Sequence, residues 1–445
     1  MRQLNFILLF PKLFLSVCIF LIAKNIYSQP SSFCSTNRFT DVAVFDSSDI
    51  RIDSNIVYGI AKNYFTNVND TLLMDVFYPD TISDTMSARP FILLIHGGSF
   101  IGGIRREMDY QCMEFARRGF VTATIGYRLG WNCTGTDFLS ICVLCGNLYP
   151  NIKTATYEAA QDGRAAMRYI DANAAQYKID QSNYYTGGTS AGSITALHVA
   201  YWDQQEADAF CSGCTGQVGL LDTSGNSLPA SFQIKGVIDN CGGISEDSAL
   251  LNNGNIPLIS FHDEGDCIVP TNYGQVISCA CQSFYWVAGS SAMHNFLSAN
   301  SICSSMNLVP LSVNHCSYPQ YELVNRAACF LRSVMCDSCT TTSNNTPFVG
   351  QGCSYFDNVS EDNLSQVKIF PNPAHEKFYL NGFKSGKTYT LLLIDLFGKK
   401  ISEKTVYNNS EIIFDLNDIP SGAYLLKIYS EGIESGRLVL VSDYQ

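Results

Sequence analysis

Charge is scarce in this sequence. Of its 445 residues only 15% are charged, and 28 Lys+Arg against 40 Asp+Glu leave a formal net charge of −12. That balance argues against nucleic acid and against an anionic membrane surface as partners. Long polar tracts are missing too, and 46% apolar residues can fill a large core. No internal repeat is visible. No apolar run has bilayer length: the stretch from Leu13 to Ala23 falls short of the roughly 20 residues that a span needs. No cysteine follows Cys353. A chain this long suits two domains better than one.

What is present begins with the leader. MRQLNFILLFPKLFLSVCIFLIAKNIYSQ has a basic Arg2, an apolar stretch broken by Pro11 and Lys12, and a small residue, Ser28, before a candidate cut. Residues 1–28 therefore read as a secretory signal peptide. Cys34 lacks the small-residue context of a lipid-modified cysteine. There are 18 cysteines, and loss of Cys18 with the leader leaves an odd number. Such density in an exported chain implies disulfides, with at least one thiol free or paired between chains. Cys112, in the helical pattern MDYQCMEFARRGF, is the candidate for a buried free thiol. The C-x-x-C pairs Cys142/Cys145, Cys211/Cys214 and Cys336/Cys339 fit no zinc-ribbon spacing, so no metal is expected.

NIVYGIAKNYF and TLLMDVFYP alternate like two antiparallel strands. RPFILLIHGG and GFVTATIGYRL contain continuous apolar runs that suit strands buried on both faces. MDYQCMEFARRGF and residues 157–177 read as helices. QIKGVID, IPLISFHD, SFYWVAG and LVPLSVN read as later strands. Alternating strands and helices predict an α/β layered fold with a mostly parallel sheet, over residues 30–340. Residues 130–155 fit no element and read as an inserted, disulfide-tied loop. The turn-rich segment 341–365 reads as a linker. Short alternating strands in 366–445 predict a small β-sandwich.

The stretch YYTGGTSAGSITALHVAY holds the chemistry. Gly188-Thr189-Ser190-Ala191-Gly192 is a G-x-S-x-G match between a strand pattern and a helix pattern. In a nucleophile elbow the serine is strained, and small neighbours let strand and helix approach closely. A serine hydroxyl needs a base, a group that orients the base, and donors for the oxyanion. His96-Gly97-Gly98-Ser99 follows a buried strand, so the backbone N–H groups of Gly98 and Ser99, with that of Ala191, are candidate donors. The loop HDEGDCIVP offers Asp263, Glu264 and Asp266. Among the histidines, His315 follows the last strand, whereas His294 and His198 sit inside helices. The order Ser190, Asp266, His315 is that of the α/β-hydrolase triad.

Residues 56–335 resemble an α/β-hydrolase of the carboxylesterase and hormone-sensitive-lipase-like group. The resemblance rests on LLMDVFYP, HGGSF, AAQDGRAAMRYI, GGTSAGS, HDEGDCIVP and NHCSYP. It implies an α/β-hydrolase fold, a carboxylic-ester substrate, no cofactor and no metal. It places the acid at Asp266, four residues after a strand-end histidine and before Val269-Pro270. Asp263 stands where such proteins usually have glycine, so it stays a rival acid. Ser99 stands where they often have glycine. A serine peptidase on the same fold and a non-catalytic surface-binding protein remain alternatives. FPNPAHEKFYL, LFGKKI, IPSGAYLLKI and GRLVLV resemble the sorting domain of the type IX secretion system of Bacteroidetes. That implies contact with secretion machinery, and a secreted or surface-attached product with no transmembrane span. Cys267 follows the proposed acid and Cys316 the proposed base, so a Cys267–Cys316 disulfide is expected to staple the two loops.

Overall fold

The computed structural model describes residues 33–131, 149–277, 284–345, 353 and 367–442, except 384–385, 396–399, 408–410, 418 and 431–432. The expected signal peptide, and most of the expected insertion and linker, lie outside the described residues.

The run RPFILLI forms a fully buried strand, β3 (Arg89–Ile95). Its side chains alternate between two cores: Phe91, Leu93 and Ile95 join one, Ile92 and Leu94 the other. A strand buried on both faces belongs inside a parallel sheet. It lies between β4 (Val121–Ile125) and β5 (Ile179–Thr189), parallel to both. On one side the sheet ends in β2 (Asn69–Pro79) and β1 (Ile50–Lys62), both joined antiparallel. On the other it continues parallel through β6 (Ile234–Asn240), β7 (Leu258–Asp263), β8 (Ser304–Val309) and β9 (Thr342–Asn344). The nine-stranded order is β1-β2-β4-β3-β5-β6-β7-β8-β9.

Helices cover both faces. Helix α1 (Asp109–Arg117) and a long later helix, Gln320–Met335, supply Phe115 and Phe330 to one core. Helix α2 (Tyr149–Ala172) and α3 (Ala191–Tyr201) supply Ala159 and Leu197 to the other. A further helix is α4 (Ser290–Ala299), and the Gln320–Met335 helix just named is α5. The mostly parallel sheet between helix layers is the α/β-hydrolase fold expected from the sequence.

Several boundaries differ from the sequence reading. Helix α2 begins at Tyr149, so the end of the expected 130–155 insertion is helical. The strand expected at LVPLSVN is β8, which stops at Val309; Pro310 follows and cannot donate to the ladder. The strand in SFYWVAG, Trp286–Gly289, pairs with Gly243–Ile244 and Tyr273–Gln275 in a separate three-stranded sheet. Its Trp286 is exposed, which suits a sheet outside the central one. Strand β9 lies within the segment expected as linker and adds an edge to the main sheet.

The C-terminal segment forms β10 (Lys368–Phe370), β11 (Lys377–Asn381), β12 (Thr388–Asp395), β13 (Lys400–Tyr407), β14 (Glu411–Asp415), β15 (Gly422–Ser430) and β16 (Ile433–Val441). They make one three-stranded and one four-stranded antiparallel sheet. Phe378, Leu380 and Phe414 of the first share a core with Leu391, Leu393 and Leu426 of the second. Period-two alternation in each strand produces that shared interior.

Disulfides tie the first unit. Cys34 pairs with Cys336, Cys303 with Cys339, and Cys329 with Cys353. Of the C-x-x-C pairs, Cys211 bonds Cys214, whereas Cys336 and Cys339 find separate partners, and Cys142/Cys145 lie outside the described residues. Cys112 is free and buried on α1, beneath the sheet, where burial pushes its thiol well above the ordinary range.

Candidate active site

The site forms where parallel strands end at their carboxyl edge, the usual place for ligands in such sheets. Ser190 stands between β5 and α3 with φ 55° and ψ −120°. A residue other than glycine rarely adopts that conformation, and here the close approach of the flanking strand and helix fixes it. A Cβ on Gly188 would lie 2.4 Å from the Gly192 carbonyl, and one on Gly192 would lie 2.0 Å from the Ile95 carbonyl oxygen. Both glycines are therefore dictated by contact. The Ser190 N–H donates to the Asn240 carbonyl at 2.9 Å, which anchors the turn to β6.

His315 lies in the loop after β8. Its Nε2 is 2.8 Å from Ser190 Oγ, and its Nδ1 is 2.6 Å from Asp266 Oδ2. Asp266 sits in the loop after β7, with its side chain fully buried. Its Oδ1 accepts the backbone N–H groups of Ile268 at 2.8 Å and Val269 at 3.2 Å. Its Oδ2 also faces His262 Nε2 at 3.2 Å. Burial alone would push the Asp266 carboxyl up. The bonds from His262 and His315, and their charges, outweigh it and hold the pKa at about 2. Asp266 is thus an anion whose acceptor positions are filled.

Asp263, the rival acid, ends β7 and points elsewhere. It accepts the Ser317 N–H at 2.8 Å and also the Ser317 hydroxyl. It therefore grips the chain two residues beyond His315. A second tie holds the same loop: Cys316 is bonded to Cys241, directly after β6. This corrects the expected Cys267–Cys316 pairing. The tip of β6 approaches the histidine loop, because β6 already anchors Ser190 through Asn240. Cys267 is also disulfide-bonded, to another residue.

Gly98 and Ser99 line the cleft with Ser190 and His315; its volume is about 420 Å³. Met108, Ile268 and Ile277 give it an apolar side, and Glu107, Gln111 and Gln320 a polar one. Gly98 has φ 112° and Ser99 φ 53°. That tight turn is braced from outside. Trp131 Nε1 donates to the Ser99 carbonyl at 2.8 Å, and the Tyr127 hydroxyl donates to the His96 carbonyl at 3.0 Å. His96 stacks on Tyr127 and its Nδ1–H donates to the Gly97 carbonyl at 2.7 Å; burial lowers its pKa. Ala191 opens α3, so its N–H is among the amides at a helix start that have no intrahelical acceptor.

The other histidines are placed away from Ser190. His198 is buried, stacks on Trp202 and accepts the Ser245 N–H; burial depresses its pKa to about 3. His294 bonds Ser304 within the α4 side of the sheet. Sequence reasoning missed the groups behind Asp266. Asp239, at the end of QIKGVID, and Ser290, at the start of α4, join His262 there through hydrogen bonds. Their only sequence signal was position at a strand end or helix start.

Comparison with known proteins agrees with this picture in part. Residues 34–200 match the Carboxylesterase family, residues 149–255 match BD-FAE, and residues 368–441 match the Secretion system C-terminal sorting domain. A Neuroligin-like protein of Caenorhabditis elegans, glit-1, is 28% identical over 126 residues, 28% of this chain and 15% of that protein. The non-reducing polyketide synthase prhL of Penicillium brasilianum is 34% identical over 88 residues, 20% of this chain and 3% of that protein. The matches therefore span only a small part of those long relatives. Among solved structures, Esterase B from Lactobacillus Rhamnosis (HN001) aligns with TM-score 0.42 and 15% identity, over 66% of this chain and 88% of that one. An esterase from the Planctomycetes species Thermogutta terrifontis aligns with TM-score 0.40 and 14% identity, over 64% and 93%. The chain thus has an α/β-hydrolase fold in which residues 34–200 match the Carboxylesterase family, and its residues 368–441 match a secretion sorting domain.

Proposed function

We propose that this protein is an exported carboxylic-ester hydrolase that works through an acyl-enzyme on Ser190. The observation that carries the reading is the continuous run from Ser190 Oγ to His315 at 2.8 Å and from His315 to Asp266 at 2.6 Å. Neutral His315 accepts the Ser190 proton at Nε2 as Oγ attacks the acyl carbon. Asp266, held ionised, fixes the Nδ1–H tautomer and stabilises the imidazolium. The N–H groups of Gly98, Ser99 and Ala191 take the developing oxyanion. The tetrahedral intermediate expels the alcohol, which takes the proton from His315. Water then repeats the sequence on the acyl-enzyme and frees Ser190. The cleft admits a small acyl group against Ile268 and Ile277. The sorting-domain match and the disulfides support passage to an oxidising exterior through secretion machinery.

The test is hydrolysis of p-nitrophenyl acetate, butyrate and octanoate by the full chain. Turnover should fall by at least about 10³-fold in Ser190→Ala. A folded chain that cleaves none of these esters but cleaves anilide peptides would replace the ester reading with a peptidase.

A further inference from the structure

Behind the triad runs a second hydrogen-bonded chain, fully buried. Asp239 Oδ2 lies 2.6 Å from Ser290 Oγ, and Ser290 Oγ lies 2.6 Å from His262 Nδ1. His262 Nε2 faces the Val269 carbonyl at 2.9 Å and Asp266 Oδ2 at 3.2 Å. Each of these contacts needs a proton between its heavy atoms, and the two contacts of Nε2 share one, which leaves three links. Val269 O and an ionised Asp266 only accept, so Nε2 carries one. The links Nδ1 to Ser290 and Ser290 to Asp239 need two more. A neutral serine and a neutral imidazole supply two protons in total for three links. The third must sit on the ring or on Asp239.

Asp239 is furnished as an anion. Its Oδ1 accepts the Ser193 hydroxyl at 2.5 Å and the Gly242 N–H at 2.8 Å, while Ser290 donates to Oδ2. An imidazole is also the more basic group, by about 2.5 pH units in water. The third proton therefore belongs to the ring. We propose that His262 is a positioning residue for the triad: it stands as a buried imidazolium between Asp239 and Asp266 and holds Asp266 Oδ2 in line with His315. This rests on the reading of Ser190, His315 and Asp266 given above, and extends it to a group that touches no substrate.

The surroundings agree. Burial alone would drive the ring neutral, but the bond to Asp266, the charges of Asp239 and Asp266 and the Val269 carbonyl raise its pKa. The titratable groups presented by the surrounding elements are Asp239 from β6, Asp266 from the loop after β7, and His315 beyond Asp266; α4 contributes the neutral Ser290. One consequence is specific. A fixed positive charge beside Asp266 opposes protonation of His315, so it widens the pH range in which His315 can act as a base.

The experiment uses the full chain with intact disulfides and ¹⁵N-labelled histidine. The His262 ring, assigned with His262→Gln, should show both nitrogens protonated from pH 6 to pH 8. A bare Nδ1 in that range would overturn the proposal. In Ser290→Ala, which cuts the link to Asp239, the ring should begin to titrate within the same range; an unchanged imidazolium there would also overturn it. In His262→Gln, whose amide can still bond Asp266, the acidic limb of kcat/KM should move up by about one pH unit with KM within about twofold. A lower kcat with an unmoved limb would mark a packing role and reject the charge. The spectrum needs no turnover. A wild-type chain inactive on every ester would remove the proposed function, while the ring nitrogens still decide where the proton lies.

Discussion

Cys241 and Cys316 are bonded to each other, so the residue after His315 is covalently tied to the tip of β6. The same tip receives the Ser190 N–H through Asn240. Ser190 and His315, the proposed nucleophile and base, thus share one support, although 125 residues separate them in sequence.

Replacing both cysteines by serine should loosen that support. The bond closes a separation of 75 residues, for which chain entropy gives about 4 kcal/mol of stabilisation. Denaturant unfolding of the double variant should show a loss of up to that size. Its kcat should fall more than its KM rises, because the histidine loop is misplaced and the cleft walls are kept. Wild-type turnover and stability would show that the ordering comes from Asp263 alone.

Asp263 and Asp266 should separate cleanly by kinetics. Asp266→Asn leaves His315 without its anion and should cost about 10³- to 10⁴-fold in kcat. Asp263→Asn keeps the run from Ser190 through His315 to Asp266 and weakens only the hold on Ser317, so a loss of about tenfold is expected. Steady-state hydrolysis of one ester by both variants decides it; equal losses would return Asp263 to the role of acid.

The ionised state of Asp266 should be visible in acid stability. Its folded pKa, about 2, lies below the ordinary carboxyl value. Such a group stabilises the fold above its unfolded pKa of about 4 and loses that contribution as pH falls toward 2. Urea unfolding of wild type and Asp266→Asn should therefore differ most at pH 5 to 7. The gap should narrow steadily between pH 4 and pH 2. A gap that is constant with pH would mean that the carboxylate is not held low.

Gly192→Ala tests the elbow by size alone. The added methyl would fall 2.0 Å from the Ile95 oxygen and 2.4 Å from the His96 oxygen, both backbone atoms that cannot swing away. The variant should be destabilised by more than about 3 kcal/mol or fail to fold. Normal thermal melting would show that β3 and α3 can separate.

The elbow and its partners were readable because each motif has a local physical cause. Gly188 and Gly192 announce close approach, His96-Gly97-Gly98 follows a buried strand, and the loop after β8 carries His315. Boundaries were harder. Tyr149 begins α2 among residues without clear periodicity. Trp286 belongs to a small second sheet because pairing partners far along the chain, not its own neighbours, decide where it goes. The disulfide differs from the expectation for a related reason: Cys267 and Cys316 each flank a residue of the proposed triad, but Cys241 reaches Cys316 through the order of strands in the sheet. Asp239 and Ser290 gave no signal beyond their places at a strand end and a helix start, since the pairing of β6 with β7 and the packing of α4 on β7 make them neighbours of His262.

One helix, α5, receives covalent ties from both directions. Cys336, just past its end, holds Cys34, and Cys329 within it holds Cys353. It works as a buckle on a belt: the segment from residue 34 to residue 353 is closed on itself through a single rod. A protease that trims the chain from either side would meet a crosslinked knot at those cysteines. Maturation by cutting, before the first knot or after the second, would then leave the crosslinked α/β unit whole.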